Sequence, residues 1–328
     1  MSKPIASVSL DLDDLWTYQR THGDPEWERR GSYLPRLMPP LLDLLDAVPC
    51  RITFFLVGAD AVLPRNAELL RAITARGHEV GNHSYNHECW LHRYDRERLT
   101  EEIASAEAAI EAATGERPVG FRGPGFSWSP ELFEVLAERG YLYDASTLPT
   151  YLGPLARAYF LASTRMSREE RKQREVLFGS FRDGLRPVHP YRWRLGSGRD
   201  LLEIPVTTVP GIKTPFHMSY LIYLGRYSVG LMRAYLRAAL SLCRRTGVAP
   251  SFLLHPLDFL GLEDAPQLSF FPGMAVPATR KRALVTEVLG TLAEQFALVP
   301  MSTHASHALR QHRIVVREAH GRRIEAAG

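Results

Sequence analysis

The chain has 328 residues, 45% of them hydrophobic, and its 40 Lys and Arg against 36 Asp and Glu give a formal charge of +4. This length and apolar content support a large buried core, as one barrel-sized domain or two smaller ones, and the near balance of charge is not that of a nucleic-acid binder. Three cysteines without C-x-x-C spacing, Cys50, Cys89 and Cys243, argue against a disulfide framework and a thiolate metal cage, and no apolar run approaches a membrane span.

Short β-branched or aromatic runs alternate with amphipathic stretches along the chain. Strands are expected at 6–11, 51–57, 79–82, 119–122, 141–144, 202–207, 251–255 and 296–301. Helices are expected near 40–46, 66–76, 96–113, 130–139, 229–244 and 280–294. Ser129 stands as a cap before Pro130, and Gly77, Gly115 and Gly140 follow helix ends. Residues 1–4 run into the first strand without the charged head and apolar stretch of an export signal, so a cytoplasmic protein is expected.

This rhythm means parallel strands joined by helical crossovers. Eight such strands suggest a distorted or incomplete (β/α) barrel, and no G-x-G-x-x-G follows the first strand to favour an open doubly wound sheet. On this reading residues 1–312 form one catalytic barrel and 313–328 a frayed or extended tail. The stretch at about 151–200 is a long insertion, an excursion over the barrel mouth or a lid.

The polar residues share one edge. Asp11, Asp13 and Asp14 end the first strand, His83 follows the third, Arg122 ends the fourth, Asp144 the fifth and His255 the seventh. In a parallel barrel these C-terminal strand ends converge on the face that carries catalysis. His83 and His87, four residues apart, can project from one side of a helical turn and grip a cation, with a carboxylate completing the set. Three protein ligands leave a position open for water, as in a catalytic zinc. Each residue also has a plainer reading: loop histidines, a strand end or helix cap for Asp11 and Asp13, a salt bridge for Arg122, a core histidine for His255.

Basic and aromatic residues crowd the region 151–244, with Arg165, Arg168, Arg171, Lys172 and Arg174 before Arg186, Tyr191, Arg192, Trp193 and Arg194. They read either as a solvated helix and loop or as a surface for anionic lipid or glycan phosphate. On the second reading Tyr191 to Arg194 contact headgroups, or a lipid carrier's diphosphate, at the inner membrane face, as a peripheral contact.

Five blocks in order carry a family resemblance. They are Ser9-Leu10-Asp11-Leu12-Asp13-Asp14; Gly77-His78-Glu79-Val80-Gly81-Asn82-His83-Ser84-Tyr85-Asn86-His87; Gly120-Phe121-Arg122-Gly123-Pro124-Gly125-Phe126; Tyr141-Leu142-Tyr143-Asp144-Ala145-Ser146; and Leu253-Leu254-His255-Pro256. Together they resemble the polysaccharide deacetylase family (NodB homology domain, carbohydrate esterase family four) over about residues 5–309, leaving 151–200 unmatched. The resemblance implies a distorted (β/α) barrel that removes an N-acyl group, chiefly N-acetyl, from a sugar. The first block departs from the common T-F-D-D-G. Its D-x-D-D spacing is similar to the branch that includes cytosolic deacetylases and a deformylase of a lipid-linked aminosugar. That alignment makes Asp11 the general base and Asp13 a metal ligand, whereas a shifted register gives these roles to Asp13 and Asp14. Residues two apart on a strand point to one side, which favours Asp11 with Asp13.

The chemistry is consistent with that reading. Amide hydrolysis needs an activated water, a charge to stabilise the oxyanion, and an acid for the departing amine. A cation on Asp13, His83 and His87 meets the first two needs, Asp11 takes the water's proton, Arg122 orients Asp11 and keeps it ionised, and His255 is the acid. Tyr85, Pro124, Phe126, Trp128 and Leu254 are expected around the acyl group, and Asp144 is either an orienting partner or a structural strand end. Zinc is the expected ion, with cobalt, nickel or iron compatible. The expected partner is an N-acylated sugar, free or lipid-linked. Competing readings are the lipid-linked aminosugar deformylase, a metal-free hydrolase of a small cyclic amide, a non-haem iron oxygenase, and a glycan-binding module with no use for Asp11 and His255.

Overall fold

The structure, a computed structural model, describes residues 3–155, 180–311 and 314–319. Its strands are β1 (Ile5–Leu12), β2 (Thr53–Leu56), β3 (Glu79–Asn82), β4 (Gly120–Phe121), β5 (Tyr143–Asp144), β6 (Tyr191–Arg194), β7 (Asp200–Glu203), β8 (Ser251–Leu254), β9 (Ala297–Val299) and β10 (Val316–Glu318). The α-helices are α1 (Leu15–His22), α2 (Leu34–Asp46), α3 (Gly58–Ala61), α4 (Ala67–Ala75), α5 (Arg96–Thr114), α6 (Pro130–Glu138), α7 (Met218–Tyr227), α8 (Val229–Thr246), α9 (Ala278–Gln295) and α10 (Met301–Leu309). Arg165, Arg168, Arg171, Lys172 and Arg174 lie outside the described residues, as does the tail from 320.

All strands join one sheet in the order β10-β6-β7-β5-β4-β3-β2-β1-β8, with β9 pairing along the start of β1. Every pairing is parallel except β6 with β7. β1 is buried along nearly its whole length, as a central strand covered on both faces must be. Among the described residues, no ladder closes the sheet. Beyond β7, Thr207 N donates to Ser251 O of β8 at 3.0 Å and Ser251 N to Thr207 Oγ1 at 2.8 Å. The result is a distorted (β/α) barrel, with the first five strands delivering their C-terminal ends to one mouth. Among the described residues, no helix is long and apolar enough to cross a membrane.

The fold departs from the sequence reading at α2, β6 and β10, among other elements. α2 begins at Leu34 although it contains Pro39 and Pro40, because the stripe Leu34, Leu37, Met38, Leu41, Leu42 and Leu45 is buried and outweighs the two missing N–H donors. β6 is a strand, with Tyr191 and Trp193 inward and Arg192 and Arg194 outward. The surface expected to meet headgroups is therefore half core: Tyr191 and Trp193 are buried, and Arg192 and Arg194 pair with Asp200. Part of the expected tail, β10, extends the sheet edge in parallel with β6.

The turn after β1 is fixed by buried acids. Asp14 Oδ1 accepts from Leu15 N at 2.8 Å and Tyr33 N at 3.0 Å, capping α1 and tying it to the start of α2. Trp16 Nε1 donates to Asp60 Oδ1 of α3 at 2.8 Å. Burial, and then the neighbouring Asp14 carboxylate, push Asp60 from its ordinary 3.8 up to about 8. The native state therefore keeps a proton that the unfolded chain releases, and this site's stability is full below about pH 4 and lost progressively toward about pH 8. Asp60→Asn removes that dependence. Its melting temperature relative to the parent should rise by several degrees between about pH 5 and about pH 8, read by calorimetry at fixed ionic strength. A constant difference across that range would contradict the assignment.

Candidate active site

His83 directly follows β3, where Asn82 pairs with Leu56 of β2 and Phe121 of β4. The run to His87 is not the helical turn expected from the i, i+4 spacing. Ser84 and His87 have φ of 62° and 51°, which reverse the chain and bring the two imidazoles to 5.1 Å between centroids. Side chains supply the bonds a helix would have made: Ser84 N donates to Asn82 Oδ1 at 2.8 Å, His87 N to Ser84 Oγ at 3.1 Å and Asn86 N to Glu102 Oε1 at 2.6 Å. Left-handed backbone at non-glycine residues costs roughly 1 kcal/mol or more each, and it persists where surroundings enforce it.

Asp13 meets both rings. Its Oδ1 lies 3.0 Å from His87 Nε2 and 3.3 Å from His83 Nε2, yet it makes no hydrogen bond of proper geometry. The ligand atoms of the three side chains fall within 4.8 Å of one another, and all three residues are buried. His83 Nδ1 faces Arg122 O at 2.7 Å. A carbonyl can only accept, so Nδ1 carries the proton and the Nε2 lone pair turns toward Asp13, the orientation a metal-bound imidazole takes. Burial opposes charge on Asp13, but His87 and His83 hold its carboxyl well below the usual range. An orphaned buried carboxylate oxygen between two imidazole nitrogens, one fixed as an acceptor, fits a divalent cation.

Arg122 follows β4 and is fully enclosed. Its Nη1 donates to Asp11 Oδ1 at 2.6 Å and Ser9 Oγ at 2.8 Å, and its Nε to Ala145 O at 3.0 Å. Across the mouth, His255 Nε2 at the end of β8 stands 4.0 Å from Asp11 Oδ2, with the imidazole 23% exposed. Asp11, Asp13, Arg122, His83, His87 and His255 thus form one cluster.

Residues 4–143 match the family model described as Polysaccharide deacetylase. Through that stretch the chain is similar to the polysaccharide deacetylase family. It is 33% identical over 107 residues to a peptidoglycan-N-acetylglucosamine deacetylase of Bacillus cereus, covering 33% of this chain and 48% of the relative. It is 30% identical over 134 residues to a chitooligosaccharide deacetylase of Bradyrhizobium, covering 38% of this chain and 59% of the relative. The chain thus spans about half the length of these curated relatives. The fold is shared with a candidate polysaccharide deacetylase of Mycobacterium smegmatis, at a TM-score of 0.57 and 21% identity over 97% of this chain and 98% of that one.

Other residues singled out in the sequence fall elsewhere in this polysaccharide deacetylase fold. Asp14 is the α1 cap. Asp144 accepts from Ser146 N at 3.0 Å and Ser146 Oγ at 2.7 Å, and Ser146 Oγ in turn accepts from Gly123 N at 2.7 Å, so Asp144 pins the loop after β4. Trp128 stacks on Phe133 and Trp193 at 5.4 Å each, because β6 brings Trp193 against it. Leu254 is fully buried in the main core, and Pro124 is buried at the start of its turn. Phe126, with φ of 60°, and Tyr85, packed on Gly58, stay half-buried.

Four further residues reach the cluster without a local sequence signature. Ser219 and Asp258 bond each other beside His255 at 2.8 Å. The His217 ring lies 6.2 Å from His255, and burial, then His255 and Arg122, bring its pKa down to about 3. Burial, then Asp13, Asp258 and Asp11, raise that of Tyr18.

Gly123 admits no side chain: a Cβ there would stand 1.9 Å from the Ser127 carbonyl oxygen. Gly123→Ala should destabilise the protein by roughly 1–3 kcal/mol through that backbone clash. Urea denaturation checks this, and a midpoint equal to the parent's would show that the loop yields freely.

Proposed function

We propose that this protein is a metal-dependent hydrolase that removes the N-acetyl group from an N-acetylated sugar, with N-acetylglucosamine in a glycan as the substrate unit. The observation that carries the reading is the convergence of Asp13, His83 and His87 within 4.8 Å, beside an Asp11 and His255 that face each other at 4.0 Å. A binding module needs the first set and has no use for the second. The names of the Bacillus cereus and Bradyrhizobium relatives support the sugar class.

A divalent ion held by Asp13, His83 and His87, zinc by the fit of one carboxylate and two imidazoles, would supply a Lewis acid that lowers the pKa of water and polarises the acyl oxygen. Asp11 takes one proton from the attacking water. Arg122, bonded to Asp11 Oδ1, leaves Oδ2 as the free acceptor. As the water oxygen joins the acyl carbon and the carbon–nitrogen bond breaks, His255 Nε2 gives its proton to the departing amine. Acetate and the amino sugar leave, and passage of the proton from Asp11 to His255 restores both groups. Phe126 and Tyr85, half-buried, are the rings available at the rim for the acyl group or the sugar face.

Two sets of variants test this. Asp13→Ala, His83→Ala and His87→Ala should each lose the ion, measured by metal analysis after dialysis, together with acetate release from chitooligosaccharide and peptidoglycan fragments. Stoichiometric metal in all three would remove the ligand assignment. Asp11→Asn and His255→Ala should keep the ion and slow acetate release by about a hundredfold or more. Undiminished turnover in both would place the acid and base elsewhere.

A further inference from the structure

His255 does not stand alone at the mouth. Its main-chain N–H donates to Asp258 Oδ2 at 2.8 Å, and the other oxygen of that carboxylate accepts from Ser219 Oγ at 2.8 Å. The same hydroxyl stands 3.4 Å from His255 Nδ1. A serine hydroxyl has one proton, and here it is committed to Asp258, so the oxygen offers the imidazole only a lone pair. A hydrogen on Nδ1, as in the imidazolium, completes the link to that oxygen. That leaves Nε2 as the nitrogen that gains and loses a proton, and Nε2 is the atom turned toward Asp11.

Asp258 is itself held in place. It is buried in the turn after β8, and Lys281 of α9, also buried, donates to the carbonyls of Leu257 at 2.8 Å and Leu260 at 2.6 Å on either side of it. Ser219 lies in the first turn of α7, a helix outside the family-matched stretch. The carboxylate of β5, Asp144, is meanwhile engaged with Ser146.

We infer that Ser219 and Asp258 are positioning residues for His255: a hydroxyl-bridged carboxylate that fixes the Nδ1–H tautomer, aims Nε2 at the departing amine and steadies the imidazolium. This rests on the reading of His255 as the proton donor. The link does no chemistry of its own. Its effect falls on the step in which the carbon–nitrogen bond breaks and nitrogen receives the Nε2 proton, and is small where the leaving group departs without one.

The experiment uses that difference. Full-length parent, Ser219→Ala, Ser219→Thr and Asp258→Asn, each metal-loaded, are assayed on an N-acetylated chitooligosaccharide and on p-nitrophenyl acetate, whose phenolate leaves unprotonated. Ser219→Ala should lose roughly tenfold in kcat on the amide with KM near the parent value and change less than about twofold on the ester, and Ser219→Thr should restore the amide rate. Asp258→Asn, which keeps the shape and loses the charge, should show the same selective loss. Equal losses on both substrates, or none, overturn the inference. Nitrogen NMR of labelled histidine supplies a readout apart from activity: neutral His255 should be the Nδ1–H tautomer in the parent and lose that preference in Ser219→Ala. An Nε2–H tautomer in the parent overturns the link. A parent with the Nδ1–H tautomer that hydrolyses neither substrate overturns the deacetylase reading and leaves the link standing.

Discussion

The buried guanidinium of Arg122 is the constraint on which the candidate site depends. Taking a charge out of water costs several kcal/mol unless each donor finds a partner. Here Nη1 meets Asp11 and Ser9 of β1, Nε meets the carbonyl after β5, and the face lies 4.4 Å over the Phe55 ring. The main chain is used as fully, for Arg122 N donates to Asn82 O at 3.0 Å while Arg122 O faces His83 Nδ1 at 2.7 Å. One residue therefore ties three strands, holds the proposed base, and sets the tautomer of a proposed ligand. The functional geometry and the packing of the strand ends cannot be separated.

Around that cation the carboxylates are sorted by where the chain leaves β1. Asp11 is still on the strand and faces Arg122, Asp13 lies one step past the end and meets the histidines, and Asp14 turns back to cap α1. A second buried pair lies on the β5 and β7 side. Burial, and then Asp144, push Glu203 well above the usual carboxyl range. Thr147 donates through N and Oγ1 to Glu203 Oε1, and Trp193 Nε1 donates to Oε2.

What the sequence disclosed, and what it concealed, follows from the range of the forces involved. The strand ends were legible because hydrophobic runs stop where the sheet meets the mouth, and β3 coincides with its expected limits, Glu79–Asn82. The conformation between His83 and His87 was not, since i, i+4 spacing suits a helix equally well and the deciding bonds come from Asn82, Ser84 and the distant Glu102. α2 was cut short at Pro40 by a local rule, whereas the burial of Leu34, Leu37 and Met38 is a tertiary fact. Ser219 and Asp258 carry no motif: a serine at a helix start and an aspartate in a turn are ordinary, and only folding puts both beside one imidazole.

β6 shows the same limit and a consequence for the whole molecule. Its Tyr-Arg-Trp-Arg pattern has the two-residue period of a strand, but flanking arginines make it look like a charged surface. Once folded, Trp193 stacks on Trp128 and Phe133 and donates to Glu203 Oε2 at 3.1 Å. β6 is thereby anchored to the loop after β4 and to Glu203 of β7. Asp144 holds Ser146, Ser146 holds Gly123, and Gly123 follows Arg122 directly. β6, outside the family-matched residues 4–143, thus meets the barrel through contacts that lead to the main chain of Gly123, next to the residue on which the site depends.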